Sequence, residues 1–249
     1  EHNVYFEDCV EGMRERLEDD SVDMVFTSPP YNIEKDQHGT RSSEVVSYED
    51  DRDDTEFQQF LRDVFGELSR VVKPDGHIFI NIDSRLHDGV MNSPSWVTQT
   101  LPLPWRSHII WHKPNGSQGM LHLNDDGRFF HTWEHIYHFS DEPDSLNGTE
   151  NFDVWSVPTE PHNEDTGKHP APYPIELPRR AIDATTSEGD TILDPFMGSG
   201  TTAVAAIQND RDYVGFELDE EGAYKPIIER RIGEAKRAKD ATVNAENGD

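Results

Sequence analysis

The sequence predicts an α/β fold, a mainly parallel sheet covered by helices on both faces, and three observations predict it. Short apolar runs alternate with stretches of helical periodicity along most of the 249 residues. One such run, Val22-Asp23-Met24-Val25-Phe26, stops at Thr27-Ser28-Pro29-Pro30-Tyr31-Asn32, where two prolines must end any strand or helix. Another, Thr191-Ile192-Leu193-Asp194, runs into Gly198-Ser199-Gly200 ahead of a stretch of small residues.

In chain order, Val22 to Phe26 reads as a buried strand and Thr27 to Asn32 as a rigid turn. Residues 33–54 are polar and acid-rich. Phe57, Phe60, Leu61, Val64, Phe65, Leu68 and Val71-Val72 then recur at helical spacing up to Lys73-Pro74-Asp75-Gly76, an amphipathic helix. Ile78 to Ile82, Ile109 to Trp111 and His135 to Phe139 are β-branched and aromatic runs that read as strands. Pro178 to Thr186 reads as a helix, Thr191 to Asp194 as a strand, Thr201 to Gln208 as a closely packed helix, Tyr213 to Glu217 as a strand and Asp219 to Lys239 as a charged helix. Residues 141–172 form the one long stretch without periodicity, and a loop of that length in a compact domain is usually functional or disordered. The expected organisation is one domain over residues 1–240, with a frayed tail at 241–249.

Composition bounds the function. No run approaches the roughly 18 to 20 apolar residues of a membrane span, and the start, Glu1-His2-Asn3, is not that of an export signal. Cys9 is the only cysteine, so an intrachain disulfide and a cysteine-based zinc site are excluded, and a reducing cytoplasm fits. Fifty acidic residues against 22 basic ones give a net charge of −28, with arginine carrying most of the positive charge. Such acidity argues against nucleic acid unless concentrated salt screens it. Acid-rich, lysine-poor sequence is the composition of salt-in halophiles, and that origin is expected here.

The glycine turn is of the nucleotide class, since two glycines let backbone approach a ligand beside a helix N-terminus. A phosphate loop needs Lys where Thr201 stands, and a dinucleotide fingerprint needs Gly where Ala203 stands. Glu217 ends the next strand, where an acid can accept hydrogen bonds from ribose hydroxyls. Together these suit an adenosine ligand without a pyrophosphate. An ordinary αβ turn that happens to contain glycines is the alternative.

The Ser28-Pro29-Pro30-Tyr31 turn is more specific. An aromatic amino group is a poor nucleophile because its lone pair is delocalised into the ring, and hydrogen bonds from the NH2 to a hydroxyl and a carbonyl relocalise it. Ser28 Oγ and the Pro29 carbonyl are the natural acceptors, and Tyr31 can stack on a base flipped from the duplex. A plain proline turn is the competing reading.

With these motifs the chain resembles the β-group amino-methyltransferases of DNA, in which the catalytic motif precedes the cofactor motif. The resemblance runs from Val4 to Ile232. It includes Asp8-Cys9, Ser28-Pro29-Pro30-Tyr31, Trp133-Glu134-His135, His169-Pro170-Ala171-Pro172 with Leu177 and Arg180, Asp194 to Thr202, and Gly215-Phe216-Glu217. It implies a Rossmann-like fold dependent on S-adenosyl-L-methionine, with a seven-stranded sheet and a circularly permuted motif order. It also implies a catalytic half over about 1–140, a short target-recognition insert over about 141–168 and a cofactor half over about 169–240. Phe196, Gly198 and Gly200 are expected to line the cofactor, with Asp194, Pro195, Ser199 and Thr201 of the same turn. Glu217 would hold the ribose, Asp8 would reach the adenine edge, and His169 to Arg180 would close over the methionine end.

Ser before Pro-Pro is typical of the family's cytosine-N4 members, whereas members with Asp or Asn there mostly modify adenine N6; cytosine N4 is the expected target and adenine N6 the alternative. The expected partners are double-stranded DNA with a flipped base and a cognate restriction endonuclease. The small insert implies a short recognition site, with CTAG as a candidate. A methyltransferase of RNA or protein, and a non-catalytic DNA-binding subunit, are the rival classes. One departure is Glu7, where the family commonly has Gly before the acid.

Among other residues, Arg41, Lys113, Arg128 and Lys168 are the expected DNA contacts, and Trp133 and Trp155 lie near the expected DNA surface. Cys9 lacks the Pro-Cys turn of cytosine-C5 enzymes and reads as a packed bystander. The 12 histidines lack metal-ligand spacing, so no metal is expected.

Overall fold

Alternation along each strand assigns side chains to two opposite cores. The computed structural model describes residues 2–30, 54–87, 90–115, 129, 131–149, 151–159 and 172–246; Tyr31, Arg41, Arg128, Lys168 and residues 169–171 lie outside the described residues. In β2 (Val22–Thr27), Val25 joins one core while Met24 and Phe26 join the other. The first core is closed by α1 (Cys9–Arg16) and α2 (Asp54–Val71), whose Phe57, Leu61, Val64, Phe65 and Leu68 form the buried stripe that the helical spacing foretold. The second is closed by α4 (Glu176–Thr185), α5 (Thr201–Gln208) and α6 (Lys225–Glu246).

The remaining strands are β1 (His2–Tyr5), β3 (Val72–Ile82), β4 (Arg85–His87), β5 (Val90–Asn92), β6 (Trp105–His112), β7 (Trp133–Phe139), β8 (Val154–Ser156), β9 (Thr191–Asp194) and β10 (Asp212–Phe216); the short helix α3 spans Val97–Thr100. The main sheet has the order β1-β10-β9-β2-β3-β7-β6-β8, and β4 pairs with β5 in a separate hairpin. All neighbours in the main sheet are parallel except those of β7, which runs against both β3 and β6. The expected mainly parallel sheet is therefore found, with eight strands among the described residues rather than seven, β8 lying at the edge beyond β6.

Two other expectations change. The strand expected to begin at Ile78 begins at Val72 instead, with Lys73-Pro74-Asp75-Gly76 as a bulge inside it: Val22 pairs with Val72, yet Met24 pairs with His77. Gly76 permits it, because a Cβ there would stand 2.8 Å from the Asp23 carbonyl oxygen. At the C-terminus α6 continues to Glu246, past the start of the expected frayed tail. It begins only at Lys225 because Asp219 accepts hydrogen bonds from the amides of Ala223, Tyr224 and Lys225, holding the segment before it in a turn.

Strand order also fixes where ligands bind. From β2 the chain moves outward to β3, whereas from β9 it moves the other way to β10, so the switch point lies between β2 and β9, paired at Met24↔Ile192 and Val25↔Leu193. A crevice outside the carboxyl ends of strands at such a point is the general ligand site of open α/β sheets.

Candidate active site

Both motifs leave the sheet at that switch point. The Ser28-Pro29-Pro30 turn, expected to be catalytic, follows Thr27, and the glycine turn follows Asp194. Asp194 is buried and its carboxylate is bonded at both oxygens: Oδ1 accepts from Thr27 Oγ1 at 2.7 Å and from the Phe196 amide at 3.0 Å, while Oδ2 accepts from the Tyr173 hydroxyl at 2.9 Å. Burial pushes the Asp194 carboxyl up from its ordinary value, and burial beside Asp194 pushes the Tyr173 phenol well up. Asp194 is thus a tie between the two turns. Asp194, expected among the cofactor contacts, has its carboxylate bonded to donors of the protein itself.

Gly200 caps α5 with φ at 82°, a left-handed conformation that suits glycine. Gly215 in β10 lies under the same turn, where a Cβ would stand 2.2 Å from Met197 Sδ. Glycine there lets the turn settle onto the neighbouring strand. The Gly198 amide donates to Glu217 Oε2 at 2.7 Å, so the acid after β10 and the glycine turn are joined directly. Burial, with the nearby charges of Asp194 and Asp219, pushes the Glu217 carboxyl up to about 7 despite the Gly198 hydrogen bond.

A hollow beside this pair is lined by Asp8, Cys9, Phe60, Pro195, Phe196, Glu217 and Leu218. Phe60 and Phe196 meet edge to face with centroids 6.0 Å apart. Aromatic walls with a carboxylate suit an adenosine. Asp8 reaches the hollow while capping α1, its Oδ1 accepting from the amides of Val10 and Glu11 at 2.9 and 3.0 Å. Phe60 was not among the expected site residues, because its spacing marked it only as part of the α2 stripe.

Other expected contact residues have partners within the protein. Ser199 and Thr201 are buried, and Arg231 Nη1 donates to the Ser199 carbonyl and hydroxyl at 2.7 Å each and to Thr201 Oγ1 at 3.1 Å. Their hydroxyls therefore anchor the turn to α6 rather than lining the hollow. Lys113 is 7% exposed, and its ammonium pairs with the Glu134 carboxylate and lies 4.7 Å from the centroid of the Trp111 ring. Lys113, an expected DNA contact, is thus paired inside the protein in this structure. Trp155 packs in the second core with its indole N–H donating to the Phe152 carbonyl, so it is a core residue.

Of the catalytic turn, Ser28 and Pro30 are half-buried and Pro29 is buried. Cys9 lies at the hollow, and burial beside Asp8 pushes its thiol up to about 12. Such a thiol is almost wholly protonated near neutral pH and is a poor nucleophile.

Comparison with known proteins agrees with this geometry. The chain is 30% identical to the Type II methyltransferase M.Cfr9I of Citrobacter freundii, over 87% of this chain and 83% of that protein. It is 29% identical to the Type II methyltransferase M.MthZI of Methanothermobacter thermautotrophicus, over 97% and 79%. Among solved structures, the cytosine-N4-specific PvuII DNA methyltransferase superposes with a TM-score of 0.72 at 19% identity, covering 92% of this chain and 86% of that one. The M1.HpyAVI–SAM complex superposes with a TM-score of 0.63 at 19% identity, covering 93% and 99%. A family model described as DNA methylase matches residues 22–230, which takes in both turns and the switch point between them, and the chain belongs to this N6/N4 family of DNA methylases.

Proposed function

We propose that the chain methylates the exocyclic N4 of cytosine in a short site of double-stranded DNA, with S-adenosyl-L-methionine as the methyl donor. The observation that carries the reading is the junction at the switch point, where Ser28-Pro29-Pro30 and the hollow floored by the glycine turn adjoin through Thr27 and Asp194. The hollow supports the cofactor: Phe60 and Phe196 would flank the adenine, Glu217 would accept from the ribose hydroxyls, and Asp8 would face the adenine edge. Bound there, S-adenosyl-L-methionine supplies an electrophilic methyl for direct transfer.

Ser28 Oγ and the Pro29 carbonyl would accept the two amino hydrogens of the target and localise its lone pair, while Tyr31 would stack on the flipped ring. Serine at position 28 supports cytosine, as does the fold shared with a cytosine-N4-specific enzyme. The protonated state of Cys9 favours transfer without a covalent enzyme intermediate. The Type II relatives support a cognate restriction endonuclease as partner, and the short expected insert makes CTAG the first sequence to test.

Digestion of modified DNA to nucleosides followed by mass spectrometry tests the reading, with N4-methylcytosine expected. N6-methyladenine would move the target while leaving the site intact, and 5-methylcytosine would overturn the mechanism. Ser28→Ala should lower turnover by about a hundredfold with cofactor affinity kept, and Cys9→Ala should leave turnover nearly unchanged.

A further inference from the structure

A second polar group stands at the same end of the sheet. Met24 and Phe26 of β2, Phe79 of β3, Ile136 of β7 and Trp111 of β6 pack in one core. Two residues closer to the ligand end on each strand come Ser28 after Phe26, Asn81 after Phe79, Glu134 before Ile136 in the reversed strand, and Lys113 after Trp111. Pairing of Thr27 with Ile80 sets the start of the catalytic turn level with Asn81.

Asn81, Glu134 and Lys113 are bonded into a row. Asn81 Nδ2 donates to Glu134 Oε2 at 3.1 Å and to the His135 carbonyl at 3.2 Å, and Lys113 Nζ pairs with Glu134 Oε1. The three are 1%, 8% and 7% exposed. A buried ion pair is a weak device for stability, since apolar residues of similar volume often hold a fold as well or better. Its retention at the ligand end of an α/β sheet therefore asks for a role at the site.

We propose that Asn81, Glu134 and Lys113 are positioning residues that fix the polar floor of the target-base pocket beside the Ser28-Pro29 turn; the proposal rests on the amino-methyl transfer reading above. The ion pair holds the ends of β6 and β7 together, and Asn81 carries that constraint to β3, the strand next to the catalytic turn. Removing both charges should loosen the seat of the base without touching the cofactor hollow.

The test is the double variant Lys113→Met with Glu134→Gln. Its unfolding temperature and its calorimetric dissociation constant for S-adenosyl-L-methionine should match the parent, while kcat on duplex DNA falls about tenfold to a hundredfold and KM changes much less. The pair Lys113→Arg with Glu134→Asp, which keeps both charges across a similar gap, should recover most of kcat. An unchanged kcat in a folded double variant overturns the proposal, as does a loss of kcat matched by an equal loss of cofactor affinity. Should the double variant not fold, Glu134→Asp alone is read the same way: lowered kcat at parental cofactor affinity supports the row, and parental kcat overturns it. Failure of the parent chain to methylate DNA would instead strike the transfer reading, and the proposal with it.

Discussion

Thr27 and Asp194 stand 167 positions apart in the chain, yet the threonine hydroxyl donates to Asp194 Oδ1 at 2.7 Å in a buried hydrogen bond. It joins the strand that ends in the catalytic turn to the strand that ends in the glycine turn. Thr27→Val keeps the shape and removes the donor, leaving a buried carboxylate oxygen short of a partner. Stability should fall by about 1–3 kcal/mol, read as a lowered midpoint in urea, with a parallel loss of turnover. An unchanged midpoint would mean that the tie contributes nothing.

Cofactor affinity should depend on Phe60 and Glu217 together. Glu217→Ala should weaken S-adenosyl-L-methionine binding by about tenfold or more, and Phe60→Ala by a similar factor through lost aromatic contact. Both should keep the far-ultraviolet dichroism of the parent. Calorimetry decides the matter, and parental affinity in either variant would remove that residue from the hollow.

The pH dependence of binding follows from Glu217, whose carboxyl is pushed up to about 7. Only the carboxylate can accept from both ribose hydroxyls, so a protonated Glu217 must first lose its proton. Affinity should rise by about tenfold per pH unit below that value and level off above it. Titrations between pH 5 and 8 would show a flat profile if Glu217 plays no part.

Acid stability is set by two imidazole pairs, His77 Nδ1 with His138 Nε2 and His108 Nε2 with His135 Nδ1, each at 2.9 Å. Burial, aided by the partner ring, pushes His138 down to about 3 and His135 to about 4. The folded state thus refuses a proton that the unfolded chain takes near pH 6.5. The stability of these pairs is complete above that pH and is lost as pH falls toward 4 and then 3. Glu217, raised rather than lowered, acts in the opposite sense, its share being lost as pH rises toward 7. Urea midpoints of the parent should therefore be compared with those of His138→Phe, which should decline less steeply from pH 6.5 to 4. Equal slopes would show that the His77–His138 pair does not set acid stability.

Salt should stabilise the protein. With a net charge of −28, self-repulsion opposes the compact state in dilute buffer, and molar KCl shortens its range to about 3 Å. Melting temperature should climb steadily from millimolar to molar KCl. A flat or falling series would require another account of the acidity.

The residues legible in the sequence were those whose signal is local. The two prolines after Phe26, the glycines after Asp194 and the helical stripe from Phe57 to Leu68 each fix backbone or burial within a few residues, and all three stand where they were expected. What stayed hidden depends on a distant partner. β1 is a strand only because β10 lies beside it, and β8 has three residues, too few to show alternation. The charge of Lys113 suggested a phosphate, but the side chain that neutralises it is Glu134, 21 residues further on. Phe60 could be read as core but not as a wall of the hollow, since the other wall arrives with Phe196.

The strand order also bears on how the chain acquires its structure. As synthesis proceeds from the N-terminus, β1 emerges first and waits for β10, some 210 residues later, and β2 presents an open edge until β9 appears. The sheet can close only when nearly all of the chain is available, so its contacts are of high sequence separation and its folding should be slow for its size. In the meantime β2, with Met24, Val25 and Phe26 fully buried in the finished fold, is an apolar edge open to pairing with other chains. An N-terminal fragment that stops short of β9 is therefore expected to aggregate rather than to stand as a folded half.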